Sequence, residues 1–243
     1  MNNLKQISLI GLVVLSLLFS VANAKSKWWK KLMGNKDKTS SELSSDDIGG
    51  AFKQALSIGA ENVVAQLGDK DGFNGDDAIH IPLPKNLKKV RSILKKVGMS
   101  GMVDDLEVKL NRAAEAATPV AKDLFIQSIK DMTFEDVKKI YSGSDDSATR
   151  YFQEKMTPTL TEKMNPIVES SLANVGAVQS LDSVMSKYDS IPFVSSVKPD
   201  LTSYVVEKGM DGIFFYLAKQ EAEIRKNPLK QTTNLLKKVF GKK

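Results

Sequence analysis

The sequence predicts an all-α fold, a single compact multi-helix domain with about nine or ten helices and no sheet. Three observations predict it. Apolar residues recur at spacings near 3.6 through most of the chain, as in Phe52, Leu56, Val63 and Leu67. No succession of period-2 runs of Val, Ile and aromatics accompanies them. The breaks between periodic segments are short and carry cap-forming side chains or glycine stops.

The first 24 residues read as an export signal rather than a fold element. Lys5 supplies a positive start, Ile7 to Phe19 an apolar run, and Ala22-Asn23-Ala24 the small-x-small pattern of a cleavage site. The run is short beside the ~20 residues of a bilayer span, so cleavage before Lys25 is expected over an uncleaved anchor. Residues 25–46 form a basic, Ser-rich leader with Trp28 and Trp29 set among lysines, a composition that does not support a core and is expected to be disordered. The alternative is that the Trp pair rests at a membrane interface. Residues 47–243 then make up the domain.

Its elements follow in order. Asp46 or Asp47 can cap the first helix, and Gly68 ends it. Asp69 to Pro84 is a loop: Asp71-Gly72-Phe73-Asn74-Gly75 is turn chemistry, and Ile81-Pro82-Leu83-Pro84 is extended because residues before proline avoid the helical region. The acidic part does not match a calcium-binding loop, since a count from Asp69 places Phe73 at position 5 and His80 at position 12. Further helices are expected over 86–97, 102–117, 121–132, 134–141, 145–156, 159–174, 178–188, 201–225 and 229–240. Thr133 with Asp136, and Ser144 with Ser147, mark starts; Gly143 and Gly176 mark stops.

Composition narrows the function classes. The net charge is +6, or about +5 once Lys5 is removed with the signal. That is too little to argue for nucleic acid, and enough for weak attraction to anionic lipid or cell-wall material. With no cysteine, disulfides, thiolate metal sites, a Cys nucleophile and a cysteine-borne lipid anchor are all excluded. The one histidine, His80, cannot build a multi-His metal site and reads as a polar loop residue. No nucleophile elbow, phosphate-cradling loop or zinc-protease motif occurs. No cofactor is expected, and enzymatic activity through paired carboxylates is the less favoured alternative.

Several blocks together resemble one family. Asp71-Gly72-Phe73, Ile81-Pro82-Leu83-Pro84, Asn111-Arg112-Ala113-Ala114-Glu115, Ala148-Thr149-Arg150-Tyr151-Phe152, Asp211-Gly212-Ile213-Phe214 and Ile224-Arg225-Lys226-Asn227-Pro228 follow in the order of the bacterial DUF4197 family. The likeness spans about Ile48 to Gly241. It implies an exported helical domain and carries no activity with it. Some members look lipid-anchored through a cysteine, from which this chain departs.

Two constellations are candidate ligand sites. On the helix 102–117, Leu106, Leu110, Ala113, Ala114 and Ala117 share a core face, and Asn111, Arg112 and Glu115 lie opposite with Val108. That polar face is either solvated or lines a groove in which Arg112 presents its planar fork to an anion. The helix 201–225 is apolar on most sides and reads as central, yet Glu207, Asp211, Glu221 and Arg225 form a stripe. Glu221 and Arg225 can pair at i,i+4; Asp211 is expected to be buried against Arg112 or Arg150. Arg150 and its neighbour Tyr151 complete the candidates. At the C-terminus Leu229, Leu236, Val239 and Phe240 form an apolar stripe beside Lys230, Lys237, Lys238, Lys242 and Lys243. The expected function is that of a periplasmic binding or interaction module, not lipid-anchored. Its partner would be an envelope protein or a small anionic ligand, with no nucleic acid. Weak membrane-surface contact through Trp28, Trp29 and the terminal lysines remains an alternative.

Overall fold

The expected apolar stripe of the first periodic segment winds into helix α1 (Ser45–Gly68), which buries Phe52, Leu56, Val63 and Leu67 on one side. A computed structural model describes residues 45–197 and 199–226. The signal segment, the leader up to residue 44 and the helix expected over 229–240 lie outside the described residues. Asp46 and Asp47 lie within α1 itself rather than at its cap.

Helices α2 (Lys85–Lys96), α3 (Gly101–Ala117), α4 (Ala121–Asp131), α5 (Phe134–Ser142), α6 (Ser147–Asn174), α7 (Ala177–Asp189) and α8 (Leu201–Lys226) follow, with a 3₁₀ turn at Thr118–Val120. There is no strand among the described residues. Among the described residues the fold is all-α, with eight α-helices where nine or ten were expected for the whole domain.

The main reason is α6. Separate helices over 145–156 and 159–174 were expected; instead one helix runs from Ser147 to Asn174 through both Pro158 and Pro166. Both rings sit on the exposed side, as do Glu154 and Glu162, whose carbonyls lose their amide partners to the prolines. Water can take those carbonyls. The opposite side keeps the helix in place by burying Phe152, Met156, Leu160, Met164 and Val168.

Helix α8 lies at the centre, packed on α6, α1 and α3. Phe125 of α4 stands edge-on to Phe152 of α6, 5.9 Å between ring centres, and to Phe214 of α8 at 6.0 Å. Those three rings join α4, α6 and α8. Gly209 lets α8 approach α3, with Ala114 and Met164 both near the space a Cβ would fill. The expected capping box at Thr133 and Asp136 is present in both directions. Gly176, at φ +74°, ends α6 in the left-handed region and opens α7.

Candidate functional site

Two polar residues of α3, Asn111 and Glu115, do not face water. Asn111 is fully buried and Glu115 nearly so, because the loop 69–84 folds back over them; Val108 alone of that group stands out at 40 % exposed. Helix periodicity shows which residues share a face but not what covers it. A loop with unpaired backbone groups can bury a polar face as well as an apolar one.

The pairing is specific. The Asn111 side-chain amide accepts from Ile81 N at 2.8 Å and donates to Ile81 O at 2.9 Å, as a neighbouring strand would. It donates also to Glu107 O within its own helix. Ile81 precedes a proline, so its extended backbone can take no partner within a helix. One carboxylate oxygen of Glu115 accepts from Phe73 N at 3.1 Å and Asn74 N at 3.0 Å; the other accepts from Arg112 at 2.7 Å. Arg112 reaches on to Asp71 at 2.6 Å. The hydrogen bonds from Asn74 and Arg112 hold the Asp71 carboxyl below its ordinary range, and Glu115, with Asp71, pushes the Arg112 guanidinium up.

His80 closes the same loop. Its Nε2 lies 2.9 Å from Glu107 and its Nδ1 3.3 Å from Asn74 O, so it is half-buried and partnered rather than a free loop side chain. Beneath, Phe73 is wholly buried against Gly212 of α8, where a Cβ would lie 2.6 Å from the ring.

The outer surface of this pinned loop meets α8 in an open groove of about 620 Å³, lined by Lys70, Asp71, Asp76, Asp77, Tyr216 and Lys219. The Tyr216 hydroxyl donates to Asp76, and that bond raises the phenol above its ordinary range. Lys219 Nζ stands over the Phe215 and Tyr216 rings, 4.4 and 4.9 Å from their centres. Among the described residues no carboxylate lies within ion-pair distance of Lys219.

The expected burial of Asp211 against Arg112 or Arg150 is overturned. Asp211 is 58 % exposed and paired with Lys208 at 2.7 Å. Gly209, Met210 and Gly212 are buried on the core side of α8, and Asp211 between them points outward. Arg150 is also exposed and binds Asp146 at 2.6 Å. The buried acid of the stripe is Glu221 instead. It pairs with Arg225 at 2.6 Å and accepts from the backbone amides of Ala148 at 2.9 Å and Thr149 at 2.8 Å, and from the Thr149 hydroxyl. It thereby caps α6, whose own N-cap residue Asp146 makes no side-chain capping bond; the Ser144 hydroxyl, just before the helix, bonds to the side chains of Asp146 and Ser147. Arg225 donates to Ile140 O at 2.9 Å and Tyr141 O at 3.2 Å and so caps the end of α5. Tyr151 packs edge-on to Phe152, and burial raises its phenol, with the Asp136 carboxylate adding to it.

The candidates thus divide. Asn111, Arg112 and Glu115 meet at the loop; Arg225 joins Glu221 at the α5–α6 corner; Arg150, Tyr151 and Asp211 belong to neither network. Sequence reading missed Asp71, Tyr216 and Lys219. Asp71 stands in the Asp71-Gly72-Phe73 turn, but nothing local in the sequence pairs Tyr216 or Lys219 with it.

An all-helical domain with one long loop clamped by buried polar side chains is the class these observations define. The family model described as Protein of unknown function (DUF4197) matches residues 42–241, most of the chain, and the chain belongs to that family. No curated protein and no solved structure matches it.

Proposed function

We propose that the chain is an exported helical binding module that takes a small anionic ligand in the groove between the loop 69–78 and α8. The observation that carries this reading is the clamp. Connections without regular structure beyond about 12 residues are uncommon in compact domains and are usually functional. Here two buried side chains, Asn111 and Glu115, fix such a segment from below, leaving a preformed groove above it. Within that groove Lys70 and Lys219 are the cations, and Lys219 stands over two rings, with no carboxylate in ion-pair distance among the described residues. Arg112, the expected anion fork, is engaged by Asp71 and Glu115 and serves the loop instead. Export rests on the apolar run and Ala22-Asn23-Ala24.

Amide chemical-shift mapping of the chain with citrate and with inorganic phosphate tests the groove. Shifts are expected at Lys70 to Ala78, Tyr216 and Lys219, and Lys219→Ala should remove them. Shifts confined to other surfaces, or undiminished in Lys219→Ala, would reject the site. N-terminal sequencing of envelope-fraction material should begin at Lys25; a Met1 start would reject cleavage.

A further inference from the structure

Helix α2 breaks two local rules together. Its residues include Lys85, Lys88, Lys89, Arg91, Lys95 and Lys96, and no acid. Lysines in the first turns oppose the helix macrodipole. Like charges three and four apart, as Lys85 stands to Lys88 and Lys89, repel one another. Nor does the N-cap help, because Pro84 makes no side-chain capping bond.

Packing nevertheless fixes the helix in one orientation. Leu87, Val90 and Leu94 are fully buried beneath it, and all five lysines are exposed. Arg91 alone is held to the body, at 2.6 Å from Asp104. Among the described residues none of the five lysines has a carboxylate within 4.0 Å. Just beyond the helix, around Gly98 at φ +74°, Val97 is 55 % and Met99 40 % exposed. A helix face that violates local preference with no compensation inside the fold points outward to a partner.

We propose that this lysine face of α2, together with the Val97–Met99 turn at its end, docks on an anionic lipid surface. Lysines on flexible stems suit an array of headgroup phosphates, each adding attraction within a Debye length. Val97 and Met99 supply the apolar contact at the acyl boundary that a basic amphipathic helix makes there. A nucleic acid would engage the lysines and leave both apolar side chains in water. The chain's net charge of +6 does not oppose the approach. No helix among the described residues is long and apolar enough to cross a membrane. This surface lies on a different element from the groove, and the two readings stand or fall separately.

The absence of cysteine gives a direct test. Val97→Cys, carrying an environment-sensitive fluorophore, reports on that turn alone, whatever other segments do. Vesicles of phosphatidylglycerol in phosphatidylcholine should shift its emission to the blue; pure phosphatidylcholine should not, and added salt should reverse the shift. Lys85→Gln, Lys88→Gln and Lys89→Gln combined should weaken binding about a hundredfold, roughly fivefold per lysine. Thermal unfolding of that variant should be unchanged or raised, because cations leave a helix N-terminus. An unshifted label on the anionic vesicles overturns the proposal, as does triple-variant binding within twofold of wild type. Duplex DNA binding of equal strength with no shift at position 97 would replace lipid by nucleic acid.

Discussion

Glu115 joins the loop to α3 through one carboxylate, and its removal separates stability from surface charge. Nothing but Arg112 and two backbone amides compensates it in its buried position. Glu115→Gln should destabilise the fold by about 3 kcal/mol in denaturant unfolding. The amides of Phe73 and Asn74 should then exchange hydrogen faster, which a general loss of stability at distant helices would not single out. Arg112→Gln should couple to Glu115→Gln by about 0.5–3 kcal/mol in a double-mutant cycle. Asp211→Asn, in contrast, should change stability by less than about 0.5 kcal/mol and add to Arg112→Gln without coupling. Gly212 makes the second residue-scale case. Gly212→Ala places a methyl 2.6 Å from the Phe73 ring and should cost about 1–3 kcal/mol, read as a lower unfolding midpoint, despite the higher helix propensity of alanine. A stabilised variant would show that Phe73 can retreat freely and that the loop is not clamped from this side.

At the scale of elements, α8 supplies side-chain caps to the start of α6 and the end of α5. Glu221 takes the free amides at the start of α6, and Arg225 adds donors to the last carbonyls of α5, where Ile140 O also accepts from Gly143 N; the two side chains lie one turn apart on the same helix. Both charges also neutralise each other and oppose the two helix dipoles in the favourable sense. Glu221→Gln should therefore lower stability by about 3 kcal/mol, with faster hydrogen exchange at Ala148 and Thr149. If only α8 responds, the cap is an incidental contact. Helix α5 shows the opposite arrangement, with its own box at Thr133 and Asp136. Thr133→Ala should cost about 1 kcal/mol there, measurable by denaturant unfolding.

For the whole molecule, acid is the expected stress. Asp71, Asp105, Asp136, Asp146 and Asp200 are each held below the ordinary aspartate value of 3.8, led by hydrogen bonds from neighbouring side chains. A carboxyl whose folded value is depressed contributes stability above its unfolded value and loses it as pH falls through the folded value. The unfolding midpoint should stay level from neutral pH to about 5 and decline progressively below about pH 4. Thr133→Ala should flatten part of that decline, since Thr133 supplies the main interactions that lower Asp136. A midpoint that rises between pH 4 and 3 would contradict the arrangement of these five carboxylates.

Helix type and order were set by local information. The 3.6-residue spacing of Leu106, Leu110, Ala113 and Ala117 fixes the buried face of α3 whatever packs on it, and Thr133 with Asp136 starts α5 from within four residues. The run Ile81-Pro82-Leu83-Pro84 excludes helix by sterics alone. The lysine series of α2 was equally legible as charge, but its freedom from partners was not, because a neighbouring helix could have supplied acids. What only the tertiary structure decided were the contacts between segments distant along the chain. The loop covers Asn111 and Glu115, Glu221 rather than Asp211 is the buried acid of the α8 stripe, and α6 continues through two prolines because its other side is packed. Local periodicity fixes which side chains share a face; the amide, carboxylate or water that each meets depends on segments brought together only when the core closes.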